Sequence, residues 1–281
     1  MNNQGLTNVN VYTLCALSDG TVYSGNMIDI RSLNLKLSPQ VISVHGKSSV
    51  FDIAEGPNNT MYSCSSDNTV KQWSRINGSI VREFRGHTNF VMCIKVSPDG
   101  TIYSSCRNGE IRVWACDNET CIRVISPVMG AGRRVRAITI SLDGKKVYSG
   151  DDNNLIHVWC GITGNHINTL HGHTGAIYRL ITLPNGNILS GSSDGTVREW
   201  SFEGKHIRTL EGHNGIVRGL ACNKDGIIFT GDEDVLRVWS KDQMVFHQID
   251  KDSTPIMAIS IIEDNVYIGY NSGQTLKLTL E

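Results

Sequence analysis

The chain has 281 residues, with 26 Lys+Arg against 27 Asp+Glu and a net charge of −1, so no global basic field exists to hold nucleic acid or an anionic membrane. Hydrophobic residues make up 40% and charged residues 19%, which excludes a disordered chain, and 28 glycines demand frequent turns. No apolar run reaches the ~18 residues that cross a bilayer, and the opening MNNQGLTN has neither the basic nor the apolar region of a secretory leader. The expected compartment is the cytoplasm, with the nucleus as the alternative.

In chain order, two-residue turn signals stand at Asp19-Gly20, Asn58-Asn59, Asp99-Gly100, Asp143-Gly144, Asn185-Gly186, Asp225-Gly226 and Asp264-Asn265, at intervals of 39, 41, 44, 42, 40 and 39 residues. Trp73, Trp114, Trp159, Trp200 and Trp239 follow their turns by 14 to 16 residues, and Leu278 takes that place in the last copy. A period near 40 marks a repeat architecture. Each copy holds short runs rich in Val, Ile, Leu and Tyr between Asp-Gly or Asn-Gly turns, as antiparallel hairpins require. In the fifth copy the strands are read near 176–183, 187–191, 196–201 and 206–210. The fold class is therefore all-β, built of four-stranded antiparallel meanders. One meander cannot bury both faces, whereas seven packed radially around a central channel can.

The first strand of each copy carries a finer pattern. The eighth residue before the turn is β-branched (Val11, Val50, Val91, Val135, Ile177, Val217, Ile256) and the fifth is aliphatic (Leu14, Ile53, Ile94, Ile138, Leu180, Leu220, Ile259). Core positions three apart contradict a period of two, and a β-bulge between them reconciles both with the core.

Gly86-His87, Gly172-His173 and Gly212-His213, each 12 to 13 residues before a turn, together with SGSSDGTVREW at 190–200, resemble WD40 repeats over essentially the whole chain. The resemblance implies one seven-bladed β-propeller spanning 1–281. It further implies buried tetrads of His, Ser or Thr, Asp and Trp: His173, Ser190, Asp194 and Trp200 in one copy, His213, Thr230, Asp234 and Trp239 in the next. The pattern departs elsewhere. Asn108 replaces the Asp beside His87, Ser104 and Trp114, Ala131 stands at the histidine place before Trp159, and His45-Gly46 reverses the usual order before Trp73. The first copy has a shortened hairpin at Gly25 to Ile28 with no Trp, and the last copy lacks Trp too. Because that copy ends after a third strand, Gln274 to Leu280, the N-terminal segment is expected to close the last blade, Asn2 to Leu6 pairing with Thr275 to Leu280.

A serine-histidine-aspartate trio invites a catalytic reading, but one that recurs copy after copy beside a core Trp serves buried hydrogen bonding better than a single active site. No phosphate loop, metal-binding His pair or nucleophile elbow is found. The eight cysteines, at 15, 64, 93, 106, 116, 121, 160 and 222, sit mostly in apolar runs, and Cys116 and Cys121 lack the second pair of a zinc site. No catalytic residue, metal or cofactor is expected. Arg133, Arg134 and Arg136 raise a nucleic-acid reading, against which stand the balanced charge and the lack of a basic stripe interleaved with aromatics.

The reading that remains is a non-catalytic protein-interaction scaffold, monomeric by itself, with a ubiquitin-ligase substrate receptor or a signalling-complex targeting domain as alternatives. The Trp-Asp-x-Arg ligase motif is absent, since Ile76, Asp117, Ile162, Glu203 and Asp242 take the Arg place. By the resemblance, the seventh residue before each turn faces the top rim: Tyr12, Phe51, Met92, Arg136, Tyr178, Arg218 and Met257. Phe90 and Arg134 extend that rim, and Arg107 is expected beside them, forming with Arg134 and Arg136 a basic patch next to Tyr178. Asp151, Asp152, Asp232 and Glu233 are expected as acidic turns elsewhere on the face. Such a rim suits a peptide with an apolar anchor and acidic or phosphorylated flanks.

Overall fold

A computed structural model describes residues 10–33, 40–125, 134–233, 235–240, 244–245 and 254–279. They contain strands, turns and bends but no helix, and hence no helix long and apolar enough to cross a membrane. Seven antiparallel sheets form, six of four strands and the last of three among the described residues, each with its strands paired in sequence order. The innermost strands are Val11–Ala16, Val50–Glu55, Val91–Val96, Val135–Ile140, Ile177–Thr182, Gly219–Cys222 and Ile256–Ile262. Each packs against the next, and the last returns to the first, so the ring closes as a seven-bladed propeller. In blade 5 the strands are Ile177–Thr182, Ile188–Ser192, Val197–Trp200 and His206–Leu210, each bound within one residue of the sequence reading.

The core lies between blades. Tyr62, Val70 and Phe84 of blade 2 pack with Val91, Ile94, Ile102 and Trp114 of blade 3. Tyr23 and Ile30 of blade 1 meet Val50, Ile53, Met61 and Trp73 of blade 2 in the same way. Each tryptophan thus binds its own blade to the preceding one, which is why the repeat places one large aromatic per interface. The close approach also excludes side chains. At Gly269 an added Cβ would stand 2.7 Å from Val11 Cγ1, at the interface that joins blade 7 to blade 1, and at Gly150 it would fall inside the Ile177 side chain of blade 5.

Register shifts occur at the inner strands of six blades, leaving Tyr12, Phe51, Met92, Arg136, Tyr178 and Met257 unpaired at the bulge. Their neighbours on either side are buried, except Arg179 beside Tyr178, which is half-buried. Blade 6 differs: Val217 N donates to Ser192 O of blade 5, and regular pairing starts only at Gly219 opposite Gly231. The expected closure by Asn2 to Leu6 falls outside the described residues, and the described edge of blade 7 is Thr275–Thr279.

Candidate functional site

Two polar systems could carry function, one inside the blades and one on the rim. In blade 5, His173 Nε2 lies 2.7 Å from Ser190 Oγ and Nδ1 2.8 Å from Asp194 Oδ2, while Trp200 Nε1 donates to Ser190 Oγ at 2.8 Å. Burial alone would raise Asp194, but hydrogen bonds from His173, Thr196 and the Thr174 amide outweigh it and hold the carboxyl well below its ordinary range. Blade 2 builds the same network despite its reversed His45-Gly46. His45 reaches Ser63 at 2.8 Å and Asp67 at 2.7 Å, and Trp73 donates to Ser63 at 3.2 Å.

The other blades depart individually. In blade 6, His213 Nε2 meets Thr230 at 2.6 Å and Trp239 donates to Thr230 at 2.8 Å. The carboxylate facing His213 Nδ1, at 3.0 Å, belongs to Asp232, whereas Asp234 lies outside the described residues. Thr230 and Trp239 are nine residues apart where Ser190 and Trp200 are ten. In blade 4 Trp159 donates to Ser149 at 2.8 Å, and buried Asp151 is met by His157 of the third strand at 3.3 Å. Ala131 is outside the described residues. In blade 3 His87 meets Ser104 at 2.6 Å and Trp114 donates to the same oxygen at 2.8 Å, but His87 Nδ1 has no hydrogen-bond partner among the described residues. Burial and the nearby Arg112 guanidinium push that imidazole down to about 3. Ser63, Ser104, Ser190 and Thr230 are fully buried beneath their tryptophans, so these hydroxyls present no surface for a substrate.

On the rim, Tyr12, Phe51, Met92, Arg136, Tyr178, Arg218 and Met257 are all half-buried. Two groupings emerge. Tyr12 and Phe51 have ring centroids 5.4 Å apart, Phe51 and Phe90 6.2 Å, and the Arg107 guanidinium lies over Phe90 at 5.7 Å. Across the rim, Tyr178 is flanked by Arg136 at 4.6 Å and Arg218 at 5.2 Å, both in cation–π range. Arg107 lies over Phe90, and Arg134 and Arg136 both approach Asp152. Asp152 bonds Arg136 Nε and stands 3.7 Å from Arg134, and Glu233 lies 3.5 Å from Arg218. Asp151 and Asp232 turn inward to histidines instead.

Below the rim, Asp52 is a residue that the rim pattern passed over, although it follows Phe51 directly. Its carboxylate accepts from Thr13 at 2.9 Å, Lys95 Nζ at 2.8 Å and the Cys93 thiol at 3.1 Å, tying blades 1, 2 and 3 at the channel. Burial opposes its charge, but Lys95 and Arg179 outweigh that and hold it at about 2.

The sequence is similar to those of known proteins. The family model for the WD domain, G-beta repeat, matches residues 38–74, 78–115, 120–160, 164–201 and 204–240. A probable coatomer subunit beta' of Schizosaccharomyces pombe is 31% identical over 43% of this chain and 15% of its own length. The transcriptional corepressor LEUNIG_HOMOLOG of Arabidopsis thaliana is 28% identical over 54% of this chain and 19% of its own. Apoptotic protease-activating factor 1 of Homo sapiens is 25% identical over 64% of this chain and 15% of its own. The alignments therefore span less than a fifth of each of these relatives. With five matched repeats, tryptophan-centred hydrogen-bond networks and seven blades in a closed ring, the chain belongs to the WD40 repeat family.

Proposed function

We propose that this propeller is a protein-interaction scaffold that captures partner segments on its top rim. The observation that carries this reading is the pairing of the Tyr12–Phe51–Phe90 ladder with the Arg136–Tyr178–Arg218 stack, with Tyr12, Phe51, Arg136 and Tyr178 at bulged positions. Aromatic and arginine side chains held half-exposed on rigid strands lose little entropy on binding, which is the character of interface hot spots. Arg134, Arg136 and Arg218 meet the two carboxylates of Asp152 and Glu233, and Arg107 lies over Phe90, so these four guanidinium groups outnumber the acids that pair with them. The partner segment that fits is an apolar anchor over the aromatic ladder, flanked by acidic or phosphorylated residues on the arginines. Relatives named as a coatomer subunit and a transcriptional corepressor agree with a scaffold role.

The test compares capture of partners by the parent, by Arg136→Glu with Tyr178→Ala, and by substitutions on the opposite face, each checked for thermal stability. Loss of capture in the rim variant at a Tm within a few degrees of the parent supports the reading. Retained capture there, with loss from the opposite face, overturns it.

A further inference from the structure

We propose that blade 3 carries a transition-metal site, with Zn²⁺ as its occupant, formed by His87, Cys106 and Glu110. One ligand atom from each of the three lies within 4.8 Å of the others. Tetrahedral zinc with bonds of about 2.0–2.3 Å separates its ligands by roughly 3.5 Å, so the trio needs to contract by about 1 Å to close on the ion.

The surroundings of His87 direct it to this role. Only 6% of the residue is exposed, and Nε2 is committed to Ser104 while Nδ1 is left without a partner among the described residues. Blade 5 shows where that nitrogen points. Asp194 and Thr196, the counterparts of Asn108 and Glu110, lie 2.8 and 3.2 Å from His173 Nδ1. His87 Nδ1 therefore faces the turn of residues 106–110.

Blade 3 alters that turn at three positions together. Where blades 2 and 5 place Ser65, Asp67, Thr69 and Ser192, Asp194, Thr196, blade 3 places Cys106, Asn108 and Glu110. It loses the central carboxylate that pairs the imidazole and gains a thiol and a carboxylate on either side. Asn108 does not replace the lost partner, because Nδ2 donates to Thr88 Oγ1 at 2.9 Å and Oδ1 accepts from the Glu110 amide at 3.1 Å and from the Cys106 thiol. Arg112 holds Glu110 by Oε2 at 3.4 Å, leaving Oε1 for a metal.

One imidazole, one thiolate and one carboxylate neutralise a divalent ion, and the sulfur favours zinc over calcium or magnesium. On ligation the Cys106 thiol releases its proton to solvent and its sulfur lone pair forms the metal bond; no electron is transferred. Water or Asn108 Oδ1 fills the fourth position.

The test titrates Co²⁺ into the chelator-treated full chain. One equivalent is expected to bind with visible ligand-field bands and a near-ultraviolet thiolate-to-cobalt band, all displaced by Zn²⁺. Cys106→Ser is expected to lose the thiolate band, and Glu110→Gln to weaken binding by about tenfold or more while keeping it. Both are to be compared at metal-free Tm values close to the parent, so that loss of fold is separated from loss of ligand. Cys116→Ser, which removes an exposed thiol, is expected to change nothing. Absence of saturable one-equivalent binding overturns the proposal, as does a thiolate band that survives Cys106→Ser or disappears in Cys116→Ser.

Discussion

His45 Nε2 lies 2.8 Å from Ser63 Oγ, within 0.1 Å of the 2.7 Å that separates His173 from Ser190, although the glycine follows His45 and precedes His173. A consistent run of protons links the set: Trp73 Nε1 donates to Ser63, the hydroxyl donates to His45 Nε2, and Nδ1 donates to Asp67. Removing one member orphans a buried partner. His45→Ala and Ser63→Ala are each expected to cost about 1–3 kcal/mol in denaturant unfolding. The double variant should cost less than the sum, because each change already breaks the shared bond. Additive costs would show that the two groups act separately.

Trp200 tests the packing half of the same unit. It is among the largest fully buried side chains and closes the interface with blade 4 alongside Tyr148, Ile156 and Leu170. Trp200→Ala is expected to destabilise the fold by roughly 3–5 kcal/mol. Trp200→Phe, which keeps a six-membered aromatic ring in the interface but loses the pyrrole ring together with the donor to Ser190, should cost less than Trp200→Ala. Equal losses from both would assign the stability to the hydrogen bond rather than to volume.

Acid should act through the same carboxylates. Burial would raise Asp67, but bonds from His45 and Thr69 outweigh it and hold it at about 2, and Asp194 is likewise depressed. A carboxyl lowered in the folded state contributes stability that is complete above its unfolded pKa, about 3.9, and is lost as pH falls toward the folded value. The Tm is therefore expected to fall from about pH 4 to pH 2 through these groups. Asp67→Asn with Asp194→Asn should flatten that slope while lowering Tm at pH 7. An unchanged slope below pH 4 would place the acid sensitivity elsewhere.

The tetrads show what one-dimensional spacing can and cannot reveal. In blade 2 the reversed glycine obscured a network that needs only a separation of 18 residues from His45 to Ser63, close to the 17 between His173 and Ser190; a loop absorbs the extra residue. In blade 6, where Thr230 and Trp239 are nine residues apart, Asp232 faces His213. Asp232 there takes the Asn214 amide at 3.2 Å, as Asp194 takes the Thr174 amide at 2.9 Å. The inner-strand bulge was legible because two core residues three apart admit few other geometries. The rim ion pairs were not. Arg136 and Asp152 are 16 residues apart, and which carboxylate meets which arginine depends on register across the bulge and on turn rotamers.

Second-strand glycines are a further rule that appears only in three dimensions. Gly150, Gly191 and Gly231 each face the β-branched first core residue of the next blade, Ile177, Val217 and Ile256. Gly150→Ala is expected to force blades 4 and 5 apart and cost about 1–3 kcal/mol. Combining it with Ile177→Ala, which removes the opposing atoms, should recover part of the loss beyond additivity. A Gly150→Ala protein as stable as the parent would mean that the interface yields without cost.

Asp152 offers a way to probe the rim without deleting any of its arginines. Its carboxylate engages Arg136 and stands 3.7 Å from Arg134, so an acidic or phosphorylated partner must compete with it for the same guanidinium forks. The pair is only partly buried, with 28% of the Asp152 side chain exposed, so its own contribution to stability is small and screened by salt. Asp152→Asn is expected to leave Tm within a few degrees and to tighten capture of an acidic partner several-fold at low salt, as one competing charge is removed. The gain should shrink at high ionic strength and vanish when Arg136→Glu is added. Weaker capture in Asp152→Asn would instead assign the carboxylate the task of orienting Arg136, and capture unaffected by either change would remove the arginine side of the rim from the binding surface.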